Sequence, residues 1–364
     1  MTAAIPLGGL RTRRVRLDFG PVRTHGRQRL RLEEFSVTRV WTGPECDQRQ
    51  TLLRGGVISV LGYGNQGRAQ ALNLRERGFR VVVGNQDDRY AAEARRDGWD
   101  VATLEEAARC GDYVVVLVPD DVQPSLSSLW EQMARGQTLC FASGYNLAFG
   151  LLTMPEAVDV VMVAPRMIGR SVRSRVAAGE GFPVLVGVFQ DASGHAQDCA
   201  LAYASAIGAG LPGGCAVASS LTEEATLDLF SEQTWAGAIT FFLQACFEVL
   251  TDAGISPEAA ILELYASGEL GEIGSAMARQ GLFGQLKLHS TTSQYGQLTR
   301  GPAFVTDALR HQLRDRLKEI RTGQFAREWT GQGGSAALEN LLASQASAHL
   351  EDAERQLYQL LGRR

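Results

Sequence analysis

The chain has 364 residues, 45% hydrophobic and 21% charged, with a formal net charge of −4. That is the composition of an ordinary globular protein with material for about two domains. The charge argues against a general nucleic-acid binder, and no apolar run approaches the roughly 20 residues of a membrane span.

The first 53 residues read as an extension. Before Glu33 the one acidic residue is Asp18, against eight arginines between Arg11 and Arg31. An organelle transit peptide shares that bias. The alternation in Val15-Arg16-Leu17-Asp18-Phe19 and Leu30-Arg31-Leu32 predicts short strands instead. The six cysteines are scattered, with no C-x-x-C pair. They predict free thiols in a reducing cytoplasm rather than a disulfide framework.

Val57-Ile58-Ser59-Val60-Leu61 is a β-branched run that stops on Gly62-Tyr63-Gly64-Asn65-Gln66-Gly67 and gives way to a helical pattern. In that setting a G-x-G-x-x-G is a dinucleotide fingerprint. The first glycine makes the turn tight, the second lets the backbone reach a pyrophosphate, and the third lets helix and strand pack closely. The helix N-terminus then presents N–H groups and its dipole to the anion.

Strands and helices alternate from there. Residues 80–83 form a second strand and 90–96 a short helix, and Thr103-Leu104-Glu105-Glu106 is a capping-box start. Further strands are predicted at 113–118, 138–141, 158–163 and 184–188. Near-continuous apolar strands separated by helices predict an α/β, Rossmann-like doubly wound parallel sheet. From about Cys215 helical periodicity takes over, at 220–249, 257–278 and 306–321. The predicted domains are an extension (1–53), a dinucleotide-binding domain (54–214) and an all-helical domain (215–364).

Three polar segments follow strand ends, where doubly wound sheets bind ligands. They are Pro119-Asp120-Asp121-Val122-Gln123, Ser143-Gly144-Tyr145-Asn146, and Arg166. Turn chemistry explains any one of them alone; with the glycine loop they predict one crevice. Cofactor contacts are assigned to the glycine loop and to Pro119, Asp120, Gln123, Gly144 and Gly169, together with Asp88 and Arg89. The segment Gly84-Asn85-Gln86-Asp87-Asp88-Arg89 brings two carboxylates near a ribose, which favours NAD(H) over NADP(H); Arg89 keeps NADP(H) open.

In the helical domain Asp228 and Glu232 stand four apart, on one helix face. Leu227, Phe230, Trp235, Ala238, Phe241 and Phe242 predict a largely buried helix. Buried carboxylates demand a partner or a metal, and such a pair suits Mg²⁺; the alternative is a solvated acidic face. Glu263, Glu269 and Glu272 form a further acidic group.

Together these motifs resemble the ketol-acid reductoisomerases of the short, bacterial type, from about Arg54 to the C-terminus. The resemblance is carried by the glycine loop with Ala69-Gln70-Ala71-Leu72-Asn73-Leu74-Arg75, and by Pro119-Asp120-Asp121-Val122-Gln123-Pro124. Met162-Val163-Ala164-Pro165, Gln190-Asp191-Ala192-Ser193-Gly194, Asp228-Leu229-Phe230-Ser231-Glu232-Gln233 and Gly323-Gln324-Phe325-Ala326-Arg327-Glu328-Trp329 add to it. It implies a Mg²⁺-dependent alkyl shift on 2-acetolactate-type acids followed by NADPH reduction. It also implies a knotted helical domain interlocked in a homodimer with a shared active site. By resemblance Asp228 and Glu232 are metal ligands, Glu269 is a further acidic group from the second subunit, and Ser290 contacts the substrate carboxylate.

Three positions depart from the family pattern: Ser143 replaces a histidine, Arg166 a lysine and Tyr265 a glutamate. The departures predict an oxidoreductase of this type repurposed for another small hydroxy or keto acid in specialised metabolism. One reaction known among such relatives closes a cyclopropanol from a sulfonium-bearing dihydroxy acid, and the face of Tyr265 would suit a sulfonium. One alternative is an ordinary reductoisomerase of branched-chain amino-acid synthesis, with His289 standing in for the lost histidine. Another is a non-catalytic nucleotide-binding protein, against which the retained Asp228, Glu232 and Glu269 speak.

Overall fold

A nine-stranded sheet organises the first half of the chain in the computed structural model, which describes residues 38–331, 334–344 and 347–363. The arginine-rich segment with its two predicted strands lies outside the described residues. The strands are β1 (Val40–Thr42), β2 (Val57–Leu61), β3 (Arg80–Gly84), β4 (Val101–Ala102), β5 (Tyr113–Val116), β6 (Thr138–Phe141), β7 (Asp159–Pro165), β8 (Pro183–Gln190) and β9 (Cys215–Ala218). Their spatial order is β1-β9-β8-β7-β6-β5-β2-β3-β4. Between them run α1 (Gly43–Asp47), α2 (Asn65–Glu76), α3 (Arg89–Arg96), α4 (Leu104–Cys110), α5 (Ser127–Glu131), α6 (Tyr145–Ala148), α7 (Gly169–Ala177) and α8 (Ala196–Ala204).

The apolar strands are buried on both faces because helices cover both sides. Ile58, Val60, Tyr113, Val115 and Cys140 share one core with α2, α7 and α8, while Val114, Val116, Leu139 and Phe141 share another with α4, α5 and α6. The capping box before α4 forms as predicted. Thr103 Oγ1 accepts the Glu106 N–H at 3.1 Å, and the Thr103 N–H reaches back to Glu106 Oε2 at 3.0 Å. All six cysteines are free, and burial pushes the Cys46 and Cys140 thiols up to about 11 and about 12.

The sheet is not wholly parallel. β8 runs antiparallel to β7 because the chain re-enters the sheet beside the point where it left: the Arg166 N–H donates to Pro183 O at 3.1 Å. The segment holding α7 is thus an excursion at one end, not a crossover. β1 pairs antiparallel with β9. The sheet therefore takes in residues on both sides of the predicted 54–214 domain. β1 and β9 are three and four residues long, too short to show a period.

Beyond β9 the chain is helical. α9 (Leu221–Ser231) continues through a π-helical turn, Glu232–Ala236, into α10 (Gly237–Asp252), making one 32-residue helix. There follow α11 (Pro257–Ile261), α12 (Glu269–Gln280), α13 (Thr291–Arg300), α14 (Asp307–Arg321), α15 (Gln324–Gly331), α16 (Ser335–Ser344) and α17 (Ala348–Leu360). This half has a small core around Phe247, Ile261 and Leu357.

The predicted burial of the long helix does not hold within one chain. Trp235 is 66% exposed, Phe241 54% and Phe242 50%. Apolar residues surround the helix, and one chain covers only part of its circumference. By length and composition it is, among the described residues, the one helix able to cross a membrane. Thr240, Gln244 and Glu248 interrupt its apolar pattern, so no unbroken apolar run marks it in the sequence. Its first turns, however, are built into the α/β half, with α9 packed on α6.

Candidate active site

The glycine loop owes its shape to two close approaches. Gly62 sits at φ 97°, and its N–H donates to Gly84 O at 2.8 Å. A Cβ at Gly67 would lie 1.9 Å from Gly62 O, so helix and turn meet only where there is no side chain. Gly64 caps α2, and a Cβ there would meet nothing within 4 Å. With Asn65 and Gln66 it opens a helix whose first turn holds no acidic residue, a ready place for an anion.

Tyr63 turns into the core. Its hydroxyl donates to Asp97 Oδ2 at 2.9 Å and accepts from Trp99 Nε1 at 2.8 Å, so only its backbone belongs to the loop surface. Gln66 Nε2 donates to Met167 O at 2.9 Å, and Gly169 lies buried against Asn65 at the start of α7. The exit of β7 is thereby drawn up to the glycine loop.

After β3 the two acidic residues do different work. Asp88 caps α3: its Oδ1 accepts the N–H groups of Tyr90 at 2.8 Å and Ala91 at 3.0 Å. Arg89 stacks over the Tyr90 ring, 4.6 Å from its centroid. Asp87 is left facing solvent, with Arg95 Nη1 donating to it at 3.0 Å. It lines a groove of about 360 Å³ with Asn85, Gln86 and Thr103.

After β5 and β6 the polar residues lock the strand ends together. Gln123 is buried; its Nε2 donates to Val118 O and to Asp120 Oδ1, both at 3.1 Å. Asn146 Nδ2 donates to Gln123 Oε1 at 2.9 Å and to Asp120 O at 2.8 Å. Pro119 begins this turn, its carbonyl accepting the Val122 N–H at 3.0 Å. Ser143 Oγ accepts the Tyr145 N–H at 3.2 Å, a local turn contact.

The centre of the site is a residue that sequence reasoning passed over. Glu224 on α9 is 1% exposed. Arg166 Nη1 donates to Glu224 Oε1 at 2.8 Å, and Arg166 Nη2 donates to Asp228 Oδ1 at 2.5 Å. The Gly144 N–H donates to Glu224 Oε2 at 2.7 Å. The signal was present, since Glu224, Asp228 and Glu232 form one stripe at a spacing of four.

Burial pushes the Glu224 carboxyl up to about 7, against the pull of the Gly144 N–H and Arg166. Burial and the charges of Asp228 and Asp121 push Asp120 up to about 6. Burial and Asp228 raise Glu232 as well. Arg166 is only partly shielded from solvent, and Asp228 and Glu224 hold it protonated, above its ordinary value.

Desolvation is the first cause of each of these shifts, and the neighbouring carboxylates add to it. Among the described residues no three His, Cys, Asp or Glu side chains converge as a metal group. Asp228 and Glu232 alone offer a carboxylate pair, the donor set of an ion such as Mg²⁺ that keeps several of its waters. Two carboxylates fit a hard divalent cation that keeps water in its other positions.

The other predicted site residues lie elsewhere in the helical half. Glu269 begins α12 and is exposed. Ser290 caps α13, its Oγ accepting the Ser293 N–H at 3.2 Å. No hydrogen bond or ion pair joins either residue to α9 among the described residues. The Tyr265 hydroxyl donates to Glu354 Oε1 at 2.8 Å. The His289 ring lies 3.0 Å from Gln285 Oε1.

Comparison with known proteins covers both halves. The acetohydroxy acid isomeroreductase NADPH-binding domain matches residues 52–213, and the ketol-acid reductoisomerase C-terminal domain matches 221–362. A Saccharolobus solfataricus protein provisionally named ketol-acid reductoisomerase 3 is 45% identical over 322 residues, 86% of this chain and 96% of its own. The ketol-acid reductoisomerase (NADP(+)) of Methanopyrus kandleri is 37% identical over 316 residues, 85% of this chain and 95% of its own. The solved structure of an NADH-preferring ketol-acid reductoisomerase from an uncultured archean superposes with a TM-score of 0.83 at 30% identity, over 88% of this chain and 99% of that one.

Proposed function

The chain belongs to the ketol-acid reductoisomerase family and is an NAD(P)-dependent oxidoreductase of that type; we propose that its site has been turned to a small hydroxy or keto acid other than the acetolactates. The observation that carries this reading is the Arg166 guanidinium held between Glu224 and Asp228. A guanidinium is always charged and fixed in a fork, so it cannot hand over a proton as an amine can. Ser143, engaged with the Tyr145 N–H, adds no group that titrates near neutrality as a histidine does. Both changes touch the acid and metal handling that a carbon shift needs. The nucleotide side is left whole.

Asp228 and Glu232 would hold Mg²⁺, which when bound polarises a carbonyl or acidifies a hydroxyl. A second copy of the chain would cover Trp235, Phe241 and Phe242 and bring Glu269 and Ser290 to the crevice. The exposed flank of the long helix is therefore read as a subunit face rather than a membrane span. The narrower reading, closure of a sulfonium-bearing dihydroxy acid to a cyclopropanol, is supported by Tyr265, because an aromatic face with Glu354 beside it attracts a cation.

The test is direct. Purified protein with Mg²⁺, 2-acetolactate and NADH or NADPH is expected to leave nicotinamide absorbance unchanged, while calorimetry records nucleotide binding. Rapid oxidation of either nucleotide would restore the ordinary reductoisomerase, the reading that the relatives' names favour. The same assay with a sulfonium dihydroxy acid removes the cyclopropanol reading if that acid neither binds nor reacts.

NADH is the nucleotide the loop favours, and Asp87 rather than Asp88 is the residue that selects it. Asp87→Ser is expected to move the ratio of NADPH to NADH affinity about fivefold toward NADPH, the modest size of an exposed charge contact. Asp88→Ser should leave that ratio alone, because Asp88 serves the α3 cap. Equal shifts from the two variants would show that the assignment is wrong.

A further inference from the structure

We propose that Arg166 is a resident cation of the carboxylate stripe, so that each chain binds a single divalent ion, on Glu232 and the free oxygen of Asp228. The inference rests on the metal-dependent reading above and deepens it. Both oxygens of Glu224 are engaged, one by Arg166 and one by the Gly144 N–H, and the residue is shut away from solvent. Glu224 therefore serves as the seat of the guanidinium rather than as a metal ligand.

Arg166 is no swinging side chain. Its backbone N–H donates to Pro183 O at 3.1 Å at the mouth of β7 and β8, and both terminal nitrogens are occupied. One oxygen of Asp228 is thereby taken. The guanidinium already neutralises one charge of the Glu224, Asp228 and Glu232 stripe, and it is bonded to the same Asp228 carboxylate that a second ion would have to share. A second divalent ion on Asp228 would stand within a few ångströms of that guanidinium, a like-charge contact that opposes its binding.

The experiment counts ions on the intact protein with Mn²⁺ as the probe, by electron paramagnetic resonance of free and bound metal. One ion per chain is expected for the wild type. Arg166→Met is expected to accept a second ion or to bind the first about tenfold more tightly or better, the usual effect of removing a like charge within a few ångströms. Two ions per wild-type chain would overturn the proposal, and that count stands even if the variant does not fold. An Arg166→Met protein with wild-type count and affinity would overturn it equally. No bound ion at millimolar Mn²⁺ would remove the metal-dependent reading as well. Acetolactate turnover with one ion per chain would remove only the substrate reading and leave the role of Arg166 standing.

Discussion

Asp228→Asn is expected to lower turnover by about a thousandfold, the several kcal/mol that a metal centre contributes to a charged transition state. The residue has two tasks. One oxygen accepts from Arg166 at 2.5 Å, and the other is the oxygen proposed above to bind the ion with Glu232. Asparagine keeps an acceptor for Arg166 but loses the charge, so the divalent ion proposed above would have Glu232 as its one carboxylate. Mn²⁺ affinity should fall with activity. Nucleotide affinity, which the proposed site assigns to α2 and the ends of β2 and β3, should not. An asparagine variant that binds Mn²⁺ like the wild type would place the metal elsewhere.

Gly67→Ala should be as severe, for a steric reason. Its Cβ would stand 1.9 Å from Gly62 O and 2.8 Å from Gly62 C. Both are backbone atoms, so no side chain can rotate away. Either α2 lifts from β2 or the turn opens, and overpacking of this kind costs about 1–3 kcal/mol or more. A lowered melting temperature is expected, with NADH binding weakened at least about a hundredfold because the N–H groups of α2 no longer converge. Gly64→Ala separates the two roles: with nothing within 4 Å of its Cβ, it should melt like the wild type and still bind NADH poorly. Normal melting and normal affinity in Gly67→Ala would mean that the loop does not hold this shape.

Much of this architecture was legible because the signals were local. The strand, glycine turn and helix at residues 57–76 are contiguous in the chain, and the strands at 113–116 and 138–141 are unbroken apolar runs. The reversal of β8 was not legible, since it depends on where α7 leaves the chain in space. The Glu224–Arg166–Asp228 contact joins residues 58 and 62 positions apart, and acidic pairs on helices are more often solvated. Composition alone cannot tell that the Asp88 carboxylate caps a helix, or that the Tyr63 ring turns inward. The exposed flank of α10 read as buried for a related reason. An apolar helix pattern reports that something covers it, not which chain does so.

The pairing of β1 with β9 bears on how the molecule is made. Val40 lies beside Val217, with about 175 residues of chain between them. At ribosomal rates of about 5–20 residues per second, roughly 10–35 s separate the emergence of these neighbours. Throughout that interval the edge strand has no ladder to join, and Trp41, buried in the finished sheet, has no cover. The sheet can grow outward from β2, β3 and β5 while synthesis continues, but its far edge waits. The first described strand of the chain is thus among the last to find its place, and closing that edge comes late in the assembly of the α/β half.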